Sequence, residues 1–285
     1  IGHNAHGAWG LTIFGLDQTD LYVYELDPAD PTRYRWQGGW ARMTEVRDTI
    51  RVKDGAPVAV TLRYTRHGPV TWVDAGRHRA YALRAAWLEP GGAPYLASLR
   101  LDQARTWAEF RDGLRFAHMP ALNWVWADTG GTIAWQAAGI APVRRTWDGL
   151  VPVPGDGRHE WDGFLPILAL PSKVNPPEAF VGSANENNIP AGDARLDAVA
   201  RSGWAEPWRA LRLREALGAG RALTADDMAR LQHDETSLPA RALVPYLRGL
   251  PVTGALARAA LDSLGLWDHR LSAASVAAGL YVQWE

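Results

Sequence analysis

A change of apolar period near residue 205 constrains the fold of this 285-residue chain more than any other feature. Before it, apolar residues alternate in short runs cut by turn dipeptides. After it, they recur every three or four positions, as on one face of a helix. LYVYELD (21–27) alternates as a strand does, and DPADP (27–31) turns the chain. TIRVKDG (49–55) and PVAVTLRYTRHG (57–68) flank Asp54-Gly55, a hairpin signal. AYALRAAWL (80–88) reads as a further strand. Thr106 and Glu109 make a capping box ahead of WAEFRDGLRFA, a helix among the strands. NWVWADTGGTIAWQAAG (123–139) reads as two short strands around Asp128-Thr-Gly-Gly, followed by a Pro/Gly-rich stretch from Ala141 to Pro177. Beyond 205, PWRALRLREALGAG (207–220) closes on glycine and Thr224 caps LTADDMARLQHD (223–234). Ser272 is the expected cap of the last helical run. This order predicts an α+β fold, sheet-rich over 1–204 and helical over 205–285. WDG occurs at 147–149 and 161–163, but no fixed period recurs, as a propeller would require.

Composition narrows the function classes. Thirty Lys and Arg against 31 Asp and Glu leave a net charge of −1, so no basic field draws in nucleic acid or an anionic membrane. No apolar run approaches the roughly 18 residues of a membrane-spanning helix. The absence of cysteine excludes a disulfide scaffold, thiolate-zinc sites and a cysteine nucleophile. Fifteen tryptophans are spread along the whole chain, a pattern that favours packing over one ligand-binding face.

The common catalytic signatures are missing: no GxSxG elbow, no phosphate loop, no HExxH, no GxGxxG. His3 and His6 have no third ligand nearby, and His67 in TRHGPV reads as a hydrogen-bonded structural histidine. Two polar clusters remain. Asp17-Gln-Thr-Asp20 sets two carboxylates three apart, either a loop around a hard cation or a polar turn before a strand. Ser183-Ala-Asn-Glu-Asn-Asn-Ile-Pro190 follows the apolar run AFVGSA. Its amides are either oxyanion donors or an Asn-rich turn.

Six segments occur in a telling order: GHNAHGAWGLTIFGLDQTDLYVYELDP (2–28), TRHGPV (65–70), NWVWADTGGTIAW (123–135), VPVPGDGRHEWDGFLP (151–166), NPPEAFVGSANENNIP (175–190) and WRALRLREAL (208–217). Along nearly its whole length the chain resembles the penicillin acylase family, which includes penicillin amidases, acyl-homoserine-lactone acylases and cephalosporin acylases. The resemblance implies part of a four-layer αββα N-terminal nucleophile hydrolase core. A precursor of that family is cut autocatalytically into α and β chains, and the β chain begins with a serine whose own α-amine is the base. An α-amine suits that role because its ordinary pKa lies near 8.

Carried onto this chain, the resemblance places Asn185 at the oxyanion amide and the Ile13 backbone N–H at the second oxyanion donor. Arg209 matches an active-site arginine. Leu11, Phe14 and Leu122 match positions lining an apolar acyl pocket. Asp17, Thr19 (through its carbonyl) and Asp20 fall on a structural calcium loop. Asp193 is the nearest candidate for a further calcium ligand, at a spacing shorter than in relatives. Gly149 falls where some members supply a proline carbonyl. The serines here are all internal and none matches the nucleophile. With no initiator methionine at Ile1 and no capped end at Glu285, the chain reads as an internal piece of a β chain. The implied partners are a small-molecule amide, the α chain and the rest of the β chain. The implied compartment of the parent is periplasmic or extracellular. The rival expectation is a non-catalytic, Trp-rich β-module binding saccharide or peptide.

Overall fold

Strands follow the alternating runs and helices the longer period in the computed structural model, which describes residues 1–91, 96–200, 203–220 and 222–285. In chain order they are β1 (Gly2–His3), β2 (Gly7–Ile13), β3 (Thr19–Asp27), β4 (Asp30–Trp36), β5 (Gly39–Arg42), β6 (Thr44–Ile50), β7 (Val58–Thr65), β8 (Gly68–Asp74) and β9 (Arg79–Ala85). Helices α1 (Ser98–Leu101) and α2 (Trp107–Leu114) precede β10 (Leu122–Asp128), β11 (Ile133–Ala138), β12 (Ala141–Arg144), β13 (Val153–Pro154), β14 (Trp161–Leu165) and β15 (Ser172–Val174). Then come α3 (Ala194–Val199), α4 (Trp208–Leu217), α5 (Ala225–Gln232), α6 (Leu238–Arg248), α7 (Ala255–Gly265) and α8 (Val276–Trp284). The chain is α+β.

Contacts group these elements into two units. Unit 1 is Ile1–Pro176 with Asn188–Trp204, and unit 2 is Pro177–Asn187 with Ala205–Glu285. The helical unit thus takes in residues 177–187, because Gly182 packs on Leu213 and the Ala205 N–H donates to the Asn185 carbonyl at 2.8 Å.

Unit 1 holds two large sheets. One runs β5-β4-β3-β9-β8-β7-β6, with β13 beside β3 in parallel; the other runs β1-β2-β10-β11-β15, all antiparallel. Strands β12 and β14 form a separate antiparallel pair. Turn chemistry sets most of the registers. Pro28-Ala29 joins β3 to β4 where Asp27 pairs Asp30. The Asp128 carboxylate accepts the Gly130 and Thr132 N–H groups and so closes the β10–β11 turn. The Asp54-Gly55 hairpin forms with a wider loop than a two-residue turn, since Ile50 pairs Val58. Pro57 has no N–H to give the ladder, so pairing starts only beyond it. Thr106 caps α2 as expected, whereas α8 is capped by Ser275, whose hydroxyl accepts the Ala278 N–H at 3.2 Å. Ser272 lies one turn too early: its carbonyl takes the Ser275 N–H instead.

The tryptophans are mainly packing. Trp9 of β2 and Trp126 of β10 stack at 6.1 Å, and Phe110 of α2 lies 4.8 Å from Trp126, which covers one face of the β1–β15 sheet. A second core gathers Tyr22, Tyr24 and Leu26 of β3 with Tyr34, Ala80 and Ala82. In unit 2, Val244, Leu247, Leu264, Trp267 and Tyr281 join α6, α7 and α8.

His67 is a structural histidine in the turn between β7 and β8. Its ring stacks on Tyr22 at 3.7 Å between centroids and is almost fully buried. Nδ1 meets the Tyr24 hydroxyl, and Nε2 lies 2.7 Å from Glu160 Oε1. Burial, with the charges of Arg84 and Arg66, outweighs the attraction of Glu160 and pushes the imidazole down to about 3. The ring is therefore neutral: Nδ1 accepts from Tyr24, and Nε2–H donates to Glu160. An unfolded histidine takes its proton near pH 6.5, while this one stays unprotonated, so acidification favours the unfolded chain. The stability His67 contributes is whole above pH 6.5 and declines as pH falls from there towards 3. In denaturant titrations from pH 6 to pH 4, His67 is expected to account for a loss of about 1.4 kcal/mol per pH unit. His67→Gln, which cannot charge, should lose that part of the slope.

Candidate active site

One group of candidate residues lies at the end of β2. There Leu11 pairs Trp124, Thr12 pairs Asn123 and Ile13 pairs Leu122, so the backbone leading to Ile13 is fixed by a ladder. Phe14 leaves the ladder, its N–H bonds the Ala121 carbonyl at 3.0 Å, and its ring meets Trp204 edge-on at 5.1 Å. Phe14 and Leu122 are buried, whereas the Leu11 and Ile13 side chains are 41% and 66% exposed. At Ile13 the backbone is the constrained part and the side chain is not.

Asn123 braces this end, a role not apparent from its place between apolar neighbours. Its Nδ2 donates to Thr12 Oγ1 and to the Ile13 carbonyl, both at 3.1 Å. Its Oδ1 accepts from Trp135 Nε1 and from Asn188 Nδ2, both at 2.9 Å. One amide buried in β10 thereby ties β2 to β11 and to Asn188. The only hint in the sequence was an amide inside an otherwise apolar run.

A separate candidate is Asn185 in unit 2. Its φ of +66° is left-handed, a region that asparagine tolerates better than most residues. Buried Glu186 organises the loop: its carboxylate accepts the Ala184 N–H at 2.8 Å and pairs with Arg214 of α4 at 3.2 Å. The Asn185 N–H donates to Ser183 Oγ at 3.2 Å. Arg209, one turn earlier on α4, donates from Nη2 to Asn185 Oδ1 at 3.0 Å. A guanidinium has only donors, so the amide atom facing it must be the oxygen. The Asn185 amide therefore turns its NH₂ end away from Arg209. Ile13, Leu11, Phe14 and Leu122 belong to unit 1, and Asn185 and Arg209 to unit 2.

The Asp17–Asp20 turn follows four residues after Ile13. Arg144 of β12 lies in it. Its Nε donates to Asp20 Oδ2 at 2.8 Å, and its Nη2 donates to the Thr19 carbonyl at 3.1 Å and lies 3.3 Å from Asp17 Oδ2. Asp20 also accepts the indole N–H groups of Trp147, at 3.1 Å, and Trp161, at 2.5 Å. Burial raises the Asp17 carboxyl above its ordinary value, and Arg144 opposes the shift. Asp193 caps α3 and pairs with Arg195 at 2.9 Å. Among the described residues, no three His, Cys, Asp or Glu side chains are grouped to hold a metal ion.

Residues 1–285 match the family model described as penicillin amidase. The chain belongs to the penicillin amidase family. It is 30% identical over 308 residues to the acyl-homoserine lactone acylase QuiP of Pseudomonas aeruginosa, covering 98% of this chain and 36% of that protein. To the penicillin G acylase of Escherichia coli it is 30% identical over 277 residues, covering 94% of this chain and 32% of the relative. The thermostable penicillin G acylase from Alcaligenes faecalis, in its orthorhombic form, superposes with a TM-score of 0.80 at 28% identity, over 94% of this chain and 49% of that one. The chain thus spans about a third of the length of the curated relatives it matches.

The two partners of the Asn185 loop should not weigh equally. Glu186 is buried and accepts a backbone N–H, while the Arg214 side chain is 54% exposed. Glu186→Ala strands that donor and is expected to cost about 2 kcal/mol in chemical denaturation, against under about 1 kcal/mol for Arg214→Ala.

Proposed function

We propose that the protein carrying this chain hydrolyses the amide of an N-acylated small molecule, with an apolar acyl group. Penicillin and lactone relatives both fit that class. These residues would supply the oxyanion donors and part of the acyl pocket, within a four-layer αββα core. The observation that carries this reading is the hold of Arg209 on Asn185 Oδ1, which commits the amide's NH₂ end to another acceptor.

In this reading a serine hydroxyl attacks the amide carbonyl and its proton passes to the serine's own α-amine. Charge develops on the carbonyl oxygen, where Asn185 Nδ2–H and the Ile13 N–H would donate. Collapse expels the amine with that proton and leaves an ester on the serine, which water cleaves to the acid. Leu11, Phe14 and Leu122 would receive the acyl chain. The attacking serine is not among the residues that family motifs place here. It would come from outside these 285 residues, together with the α chain and the rest of the β chain, and the 285 residues alone would turn over no amide.

In the full-length protein, Asn185→Ala is expected to lower kcat by about 10²–10³ with little change in KM, because the donor acts on charge formed in the transition state. A panel of phenylacetyl and N-acyl-homoserine-lactone amides would measure this and rank the acyl groups. Activity within a few-fold of the wild type would rule out the assignment of Asn185.

A further inference from the structure

We propose that the Arg144 guanidinium is the resident cation of the Asp17–Asp20 turn, and that this turn takes no calcium ion. A calcium site needs six to eight oxygens at about 2.3–2.6 Å around an open centre. Here that oxygen-rich concavity is already filled by a cation. Within 3.5 Å the guanidinium meets Asp20 Oδ2, the Thr19 carbonyl, Asp17 Oδ2 and the Asp17 carbonyl. Its side chain is 2% exposed, which an arginine tolerates only when its charge is paired and its donors are used.

Three further features fit an arginine and not a divalent ion. First, the Asp20 carboxylate is engaged by donors on both oxygens: Oδ2 takes Arg144 Nε and Trp161 Nε1, and Oδ1 takes Trp147 Nε1. Second, the backbone has closed around the guanidinium at Gly149. That residue has φ of +80°, and a Cβ there would sit 2.6 Å from Asp17 Oδ2 and 2.9 Å from Arg144 Cζ. Only glycine meets both demands, and proline, fixed near −65°, meets neither. Third, the ladder between β12 and β14 shifts register between Pro142 and Arg144, an irregularity of the kind that re-aims a side chain. Asp193, the one further acid offered by its spacing, is bound to Arg195.

The guanidinium therefore does by hydrogen bonding what a metal would do by coordination. It joins the turn that follows Ile13 to β12, some 124 residues on. It cancels one of the two carboxylate charges, and the indole donors share the remainder.

Elemental analysis and thermal melting of the full-length protein test this. The wild type is expected to carry well below one calcium per chain. It should melt within about 1 °C of the same temperature in EDTA and in millimolar calcium. Arg144→Ala is expected to melt about 10 °C lower, and calcium should then recover part of the loss by entering the vacated turn. Stoichiometric calcium in the wild type, or a loss of several degrees on chelation, overturns the proposal. So does an Arg144→Ala protein that melts with the wild type or that ignores calcium. If that variant does not fold, Arg144→Lys takes its place: it is expected to melt between the two and to stay indifferent to calcium. A calcium-dependent gain in the lysine variant equal to its loss overturns the proposal as well.

Discussion

Asp20 is the constraint on which unit 1 depends. A carboxylate taken out of water costs several kcal/mol unless its oxygens are fully engaged. Here Arg144, Trp147 and Trp161 engage them, all from more than 120 residues downstream. Asp20 also opens β3, which pairs β9 and β13 and so sits inside the larger sheet. Satisfying one buried charge thus fixes where β12 and β14 lie against the start of that strand. It also fixes the indoles of Trp147 and Trp161, whose N–H groups point at that acid.

The local rules that were legible in the sequence are those whose cause is local. The Pro-Ala turn after Asp27, the Thr106 cap and the Asp128 turn each depend on a side chain within four residues, and each appears where composition places it. Where the reading slipped, the competing cause was still short in range. Pro57 widened the hairpin at Asp54, and Ser275 rather than Ser272 took the cap of α8. What could not be read were the long-range partners. Nothing near Arg144 in sequence announces that it meets Asp20, and Asn123 looks like an accident between Leu122 and Trp124 until its hydrogen bonds are traced. The candidate site residues came from resemblance to a family and not from periodicity, because donors such as the Ile13 N–H have no side-chain signature.

The two candidate donors are held by different means. Ile13 lies in a strand, so its backbone direction follows from the β2–β10 ladder and the Asn123 bond to its carbonyl. Its side chain carries no positional duty, which explains why it can be largely exposed. Asn185 lies in a loop, and as a candidate donor it would act through its side chain, so both its backbone and its amide would need fixing. The left-handed φ sets the first and Arg209 sets the second. A lysine in place of Arg209 would still donate, but a flexible ammonium fixes orientation less well than a planar fork.

A common device serves each of these two segments. Within a few residues of each candidate donor is a buried acid, Asp20 after Ile13 and Glu186 beside Asn185, and each acid is met by an arginine from later in the chain. An acid in that position gathers backbone and side-chain donors that a neutral residue could not hold. The arginine then compensates the charge that gathering them leaves behind. The two differ in depth: Arg144 is shut away from water, whereas Arg214 is more than half exposed. Solvent screens an exposed pair and leaves a buried one at nearly full strength. The turn after Ile13 is therefore locked by charge, while the Asn185 loop relies more on the backbone N–H that Glu186 accepts.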